Sequence, residues 1–130
     1  EVGDRLLFQD GREDIVTTRN MRAAQLQIRR GRCRIAIFIP GSGPVVPHGR
    51  MDEIMQELMQ KEGIDAGDFE RASRFVEMKF DGVLRPITLS TDLQAEVSGE
   101  SVRLGFTLPP GHYATTVCRE YMKADPYVMI

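Results

Sequence analysis

The chain has 130 residues, 42% hydrophobic and 28% charged, enough for one modest core or pieces of two and too apolar for a disordered tail. No stretch approaches the roughly 20 consecutive apolar residues of a membrane span, and Glu1-Val2-Gly3-Asp4 lacks the basic and apolar regions of a signal peptide, so a cytoplasmic protein without a membrane partner is expected. The net charge of -2 hides a split: residues 1–50 carry nine arginines against five acids, while residues 51–130 carry fourteen acids against eight basic residues.

Taken in chain order, Arg5-Leu6-Leu7-Phe8 and Asp14-Ile15-Val16-Thr17 flank an Asp10-Gly11 turn signal and predict a β-hairpin. Thr18 or Asn20 can cap a helix over about 20–30, with Met21, Ala24, Ile28 and the pair Ala23 and Leu26 forming an apolar stripe that Gly31 ends. From Arg19 to Arg50 there is no Asp or Glu, and Arg19, Arg22, Arg29, Arg30, Arg32 and Arg34 make a concentrated cationic stretch. The planar fork of Arg matches phosphate oxygens and stacks on bases, so this stretch reads either as an RNA-binding surface or as a solvated face balanced by the acidic half.

Ile35 to Ile39 form a buried apolar run stopped by Pro40. The Gly41-Ser42-Gly43-Pro44 loop that follows lacks the Gly-Lys-Ser/Thr ending of a phosphate-binding loop. Met51, Ile54, Met55, Leu58 and Met59 recur at helical spacing up to Gly63 and predict a helix with a core-facing stripe, and Asp65, Asp68 and Glu70 read as a solvated helix start without metal-loop spacing. Strands are expected at 75–80, 83–89, 93–97 and 102–108, then a turn at Pro109-Pro110-Gly111 and a helix over 113–122. Cys33 and Cys118 lack any metal-ligand spacing and read as reduced thiols. The fold class expected is therefore α+β, a mainly antiparallel sheet with flanking helices.

The run from Val102 to Met122 closely resembles the C-terminal signature of TruD-type tRNA pseudouridine synthases of the archaeal and eukaryotic kind. In that family a strand ending Phe-x-Leu-Pro leads through Gly and a small residue into aromatic-Ala-Thr, and Arg-Glu-hydrophobic-hydrophobic follows three residues later. Phe106, Leu108, Pro109, Gly111, Tyr113, Ala114, Thr115, Arg119, Glu120 and Met122 fit this pattern, and His112 departs from it where Ser is more usual. Upstream, Gly3-Asp4-Arg5-Leu6-Leu7, the Arg-bearing helix, the run to Pro40-Gly41 and the acidic helix follow the family's order.

The resemblance implies a uridine in the tRNA D-arm, at position thirteen, isomerised to pseudouridine without metal or organic cofactor. It implies that residues 1 to about 75 are the later part of the family's insertion domain and about 76–130 the last strands and helix of a partial pseudouridine synthase catalytic domain. The family's catalytic Asp, in a Gly-x-Lys-Asp segment, and its Asn-x-Phe motif have no counterpart in these residues. With a first residue other than Met, this suggests a C-terminal piece, inactive alone, whose partners are tRNA and the remaining N-terminal part of the same enzyme. Tyr113 is then the candidate face for stacking the flipped base, and Arg119 the candidate partner of the Asp, keeping it ionised. Core packing for Tyr113, and a surface ion pair or plain solvation for Arg119, are the structural alternatives. A noncatalytic RNA-binding module using Arg19 to Arg34, or an interaction domain presenting the Met51 to Met59 helix, are the alternatives for the whole chain.

Overall fold

The computed structural model describes residues 1–123, 125 and 127; the remaining residues of the expected second segment lie outside the described ones. Two compact units divide the chain at Thr88 and Leu89. Both are α+β with antiparallel pairing throughout.

In the first unit, β1 (Arg5–Phe8) and β2 (Glu13–Ile15) form the expected hairpin, and β3 (Cys33–Ile39) and β4 (Val83–Pro86) complete a sheet of order β2-β1-β3-β4. Arg5 faces Ala36, Leu6 faces Ile35 and Phe8 faces Cys33 across the β1–β3 ladder. Cross-strand partners share a face, so one face carries Leu6, Phe8, Cys33 and Ile35 and the other Arg5, Leu7, Arg34, Ala36 and Phe38. The first face is covered by α1 (Met21–Arg29): buried Leu6, Val16, Ala24 and Cys33 form the core, with Met21, Ile28, Phe8 and Ile35 packed against it. Leu6 and Cys33 are each 1% exposed, and burying a Leu side chain contributes about 2 kcal/mol.

Only part of the apolar stripe expected on α1 faces inward, since Ala23 and Leu26 are exposed. Asn20 occupies the cap position without capping: its side-chain oxygen accepts from the Thr17 N–H at 2.7 Å and its amide donates to the Ile15 carbonyl at 2.9 Å, so it braces the approach to the helix instead.

The second face meets α2 (Arg50–Glu62), whose half-buried Met55 and Met59 line a small cavity with Phe38, Pro40 and Val45. Met51 and Leu58 of the expected stripe are exposed. Gly63 ends α2 in the left-handed conformation at φ +67, as its position predicted. α3 (Ala66–Val76) begins in a reciprocal box in which the Asp65 carboxylate accepts from the Asp68 N–H and the Asp68 carboxylate from the Asp65 N–H.

The strand expected at 75–80 does not form. Phe75 and Val76 end α3, Glu77 turns left-handed at φ +55, and residues 77–82 are irregular. The cap at Asp65 commits the segment to a helix, and the Phe75-Glu77-Lys79 alternation is overridden by hydrogen bonds from the Phe80 N–H to the Ser73 hydroxyl at 3.2 Å and from the Ser42 N–H to the Phe80 carbonyl at 2.6 Å. β4 pairs with β3, so the first compact unit runs on to Thr88.

The second unit holds a two-stranded ribbon of β5 (Gln94–Ser98) and β6 (Ser101–Gly105), then α4 (Ala114–Met122). Thr91 donates its hydroxyl to the Thr107 carbonyl at 2.8 Å, tying the chain on either side of the ribbon. The strand expected at 83–89 is shorter, at 83–86, and the one expected at 102–108 ends at Gly105 before the prolines, which cannot donate to a ladder.

Candidate functional site

The six arginines singled out from the sequence all lie in the first unit. Arg19 precedes α1, Arg22 and Arg29 are on its exposed side, Arg30 is its C-cap, and Arg32 sits in the turn to β3. Arg34 stands apart: its register with Leu7 puts it on the sheet face opposite α1. The structure therefore gathers five of the six around one helix and its ends, and separates the sixth.

None of the six makes an ion pair among the described residues, in contrast to Arg5, Arg12, Arg50, Arg71 and Arg74, each of which is bound to a carboxylate. An exposed cation without an acidic neighbour keeps its full charge available to an external anion.

The Gly41-Ser42-Gly43 loop has no cradle to offer. Gly41 is buried with its Cα against the Phe80 carbonyl and the Gly82 nitrogen, where a side-chain carbon would lie 2.1 Å from that carbonyl oxygen. The Ser42 hydroxyl, like its N–H, donates to Phe80.

In the second unit the Pro109-Pro110-Gly111 turn delivers the chain to α4. Gly111 is left-handed at φ +81, and the His112 N–H donates to the Pro109 carbonyl at 3.3 Å, with the imidazole Nδ1 also 3.3 Å from that oxygen. His112 thus braces the turn where the family usually has Ser. Tyr113 then occupies the N-cap in extended backbone and is 70% exposed. Along α4, Val117 is buried and Cys118 half-buried, leaving Arg119 and Tyr121 on exposed positions.

Glu120 pairs with Lys123, which holds its carboxyl below the usual range, and Arg119 has no ionic partner among the described residues. Among the described residues Arg119 is thus exposed and solvated rather than ion-paired. Tyr113 and Arg119 make no hydrogen bond to each other, and neither lines the cleft of about 400 Å³ that Leu89, Ser90 and Thr91 form with Thr116, Val117, Glu120 and Tyr121.

One polar cluster had no signal in the sequence. Asp52, 6% exposed on α2, accepts from Arg5 Nε at 3.0 and 3.1 Å and from the His48 N–H at 3.0 Å. Arg5 also donates to the Val46 carbonyl at 3.1 Å and lies 5.5 Å over the Phe38 ring. Burial by itself raises the Asp52 carboxyl, but the Arg5 and His48 hydrogen bonds and the Arg5 charge outweigh it and hold it below the ordinary carboxylate range. Their separation of 47 positions along the chain explains why no local pattern revealed them.

Comparison with known proteins places these elements in a family. The profile of tRNA pseudouridine synthase D (TruD) matches residues 1–121. A protein of Natronomonas pharaonis named probable tRNA pseudouridine synthase D is 33% identical over 96% of this chain, and its namesake in Methanococcoides burtonii is 30% identical over 98%. A crystal structure assigned to tRNA pseudouridine synthase D (TruD) of Methanosarcina mazei superposes with a TM-score of 0.73 at 28% identity over 98% of this chain. The chain spans about a third of the length of each, 29% of the first and 32% of the other two. With the signature from Phe106 to Tyr121 inside the matched residues, the chain belongs to the tRNA pseudouridine synthase D (TruD) family.

Proposed function

We propose that the chain is the C-terminal part of a tRNA pseudouridine synthase, acting in the cytoplasm on the uridine at position thirteen of the D-arm. Residues 1 to about 75 belong on this reading to the later part of the insertion domain and 76–130 to the end of the catalytic domain. The other partner is the remainder of the same polypeptide, which supplies the catalytic Asp.

The reaction is an isomerisation and needs no co-reactant. The bond from the ribose C1′ to N1 breaks, the base turns, C1′ joins C5, and the proton lost from C5 is balanced by one gained at N1. An enzyme acting on a base takes it out of the stack, at a cost of a few kcal/mol, and a ring in the pocket returns about 1–3 kcal/mol by stacking. Tyr113 takes this role: a tyrosine 70% exposed at a helix start, fixed by a proline-glycine turn, is a rigid aromatic face available to a ligand. Arg119 keeps the Asp ionised, since an adjacent cation lowers a carboxylate pKa. The single observation carrying the reading is that the family signature sets an exposed aromatic at the start of one short helix and, in its last turn, an arginine with no ionic partner among the described residues. Arg19, Arg22, Arg29, Arg30, Arg32 and Arg34 bind the tRNA backbone, supported by their lack of acidic partners.

The test is Arg119→Ala in the complete enzyme, followed by pseudouridine formation and tRNA binding. Turnover is expected to fall by at least about a hundredfold, with tRNA affinity within about threefold of the parent. Unchanged turnover would remove Arg119 from the site.

A further inference from the structure

Phe8, Gln9, Asp10 and Arg12 of the β1–β2 turn face Gln27 and Arg32 across an open cleft of about 390 Å³, within the size range of small-ligand sites. Its walls are held together. Gln9 donates its side-chain amide to the Gly31 carbonyl at 2.8 Å and its N–H to the Arg32 carbonyl at 3.2 Å, and the Arg32 N–H reaches the Gln27 carbonyl at 3.0 Å.

On one wall the Arg12 guanidinium lies 5.0 Å over the Phe8 ring, and Asp10 sets its orientation by accepting from Nε at 2.7 Å and from the Arg12 N–H at 3.1 Å. On the other, the Gln27 and Arg32 side chains have no hydrogen-bonded or ionic partner among the described residues. Arg29 and Arg30, also without ionic partners among the described residues, lie close by in sequence at the end of α1. A stacked plane, an uncommitted amide opposite it and the Arg32 cation in the same wall are the three things an unstacked nucleotide asks of a protein: a surface for the base, partners for its edge and charge for its phosphate.

We propose that this cleft is a subsite for one unstacked nucleotide of the bound RNA. The base lies against the Arg12–Phe8 layer, Gln27 and the remaining lone pairs of Asp10 meet its edge, and Arg32 holds its phosphate. The proposal rests on the reading of the arginine surface as the tRNA-binding face, and adds to it a site that reads a base rather than backbone charge.

The experiment titrates the complete enzyme with fluorescein-labelled tRNA transcript, by anisotropy, over a series of salt concentrations. Phe8 packs against the core, so the informative changes are Gln27→Ala, Arg12→Gln, Arg29→Ala and Arg32→Ala, with melting temperatures confirming that each is folded. Gln27→Ala removes no charge and is expected to weaken binding about tenfold with an unaltered salt slope, and Arg12→Gln to weaken it by a similar factor. Arg32→Ala is expected to weaken binding and lower the slope by about one phosphate contact. If Arg29→Ala and Arg32→Ala weaken binding while Gln27→Ala and Arg12→Gln bind like the parent, the cleft is empty and the proposal fails although the arginine surface stands. If all four bind like the parent, the arginine surface itself fails and the subsite with it.

Discussion

Arg5 and Asp52 illustrate how two side chains decide where a helix sits. Their bonds link β1, the 46–48 loop and α2 in one buried cluster, which no other ion pair in the molecule approaches in burial among the described residues. Removing one partner of such a pair leaves the other uncompensated, so Asp52→Ala is expected to lose about 3 kcal/mol, read as a lower midpoint in urea unfolding. The pair also sets a pH dependence. The Asp52 carboxyl is lowered in the folded state, so its stabilisation is complete above the ordinary carboxylate range and is lost as the pH falls through that range towards the lowered value. Asp52→Asn should be less stable at neutral pH but lose less on acidification, a difference that unfolding midpoints at pH 7 and pH 3 will reveal. The exposed pairs, Arg50 with Glu53 and Glu57 among them, contribute little by comparison because water screens them.

At the scale of elements, helices with strong punctuation were readable: Gly63 at the end of α2 and Asp65 at the start of α3 are where their chemistry places them. What was not readable depended on distant partners. The 75–80 strand alternated convincingly, yet the capping box upstream and the Ser42–Phe80 bond decided for a helix and an irregular turn. The candidate arginines were legible as a cluster in sequence, but the strand register alone reveals that Arg34 faces away from α1. This separation yields a prediction for the element. Replacing Arg29, Arg30 and Arg32 together by Ala is expected to weaken tRNA binding and reduce the salt slope by about two to three, whereas Arg34→Ala alone changes it by one at most. An unaltered slope in the triple variant would exclude phosphate contacts by this helix end. On α4, the sequence motif found Tyr113 and Arg119, while their exposure and lack of partners became visible only in the folded chain.

For the whole molecule, membership of the TruD family was legible from one segment, Val102 to Met122, because it combines a proline-terminated strand, a glycine turn and a helix with residues at fixed intervals. The pairing of β4 with β3 was not, since it links residues far apart in sequence. No helix among the described residues is long and apolar enough to cross a membrane. The central claim is that these 130 residues serve a synthase rather than a noncatalytic RNA-binding module. The most direct measurement is site-resolved pseudouridine mapping of a tRNA transcript before and after incubation with the complete polypeptide. The account predicts one new pseudouridine, at position thirteen of the D-arm. Tight tRNA binding with no uridine converted anywhere would contradict it and favour the noncatalytic module.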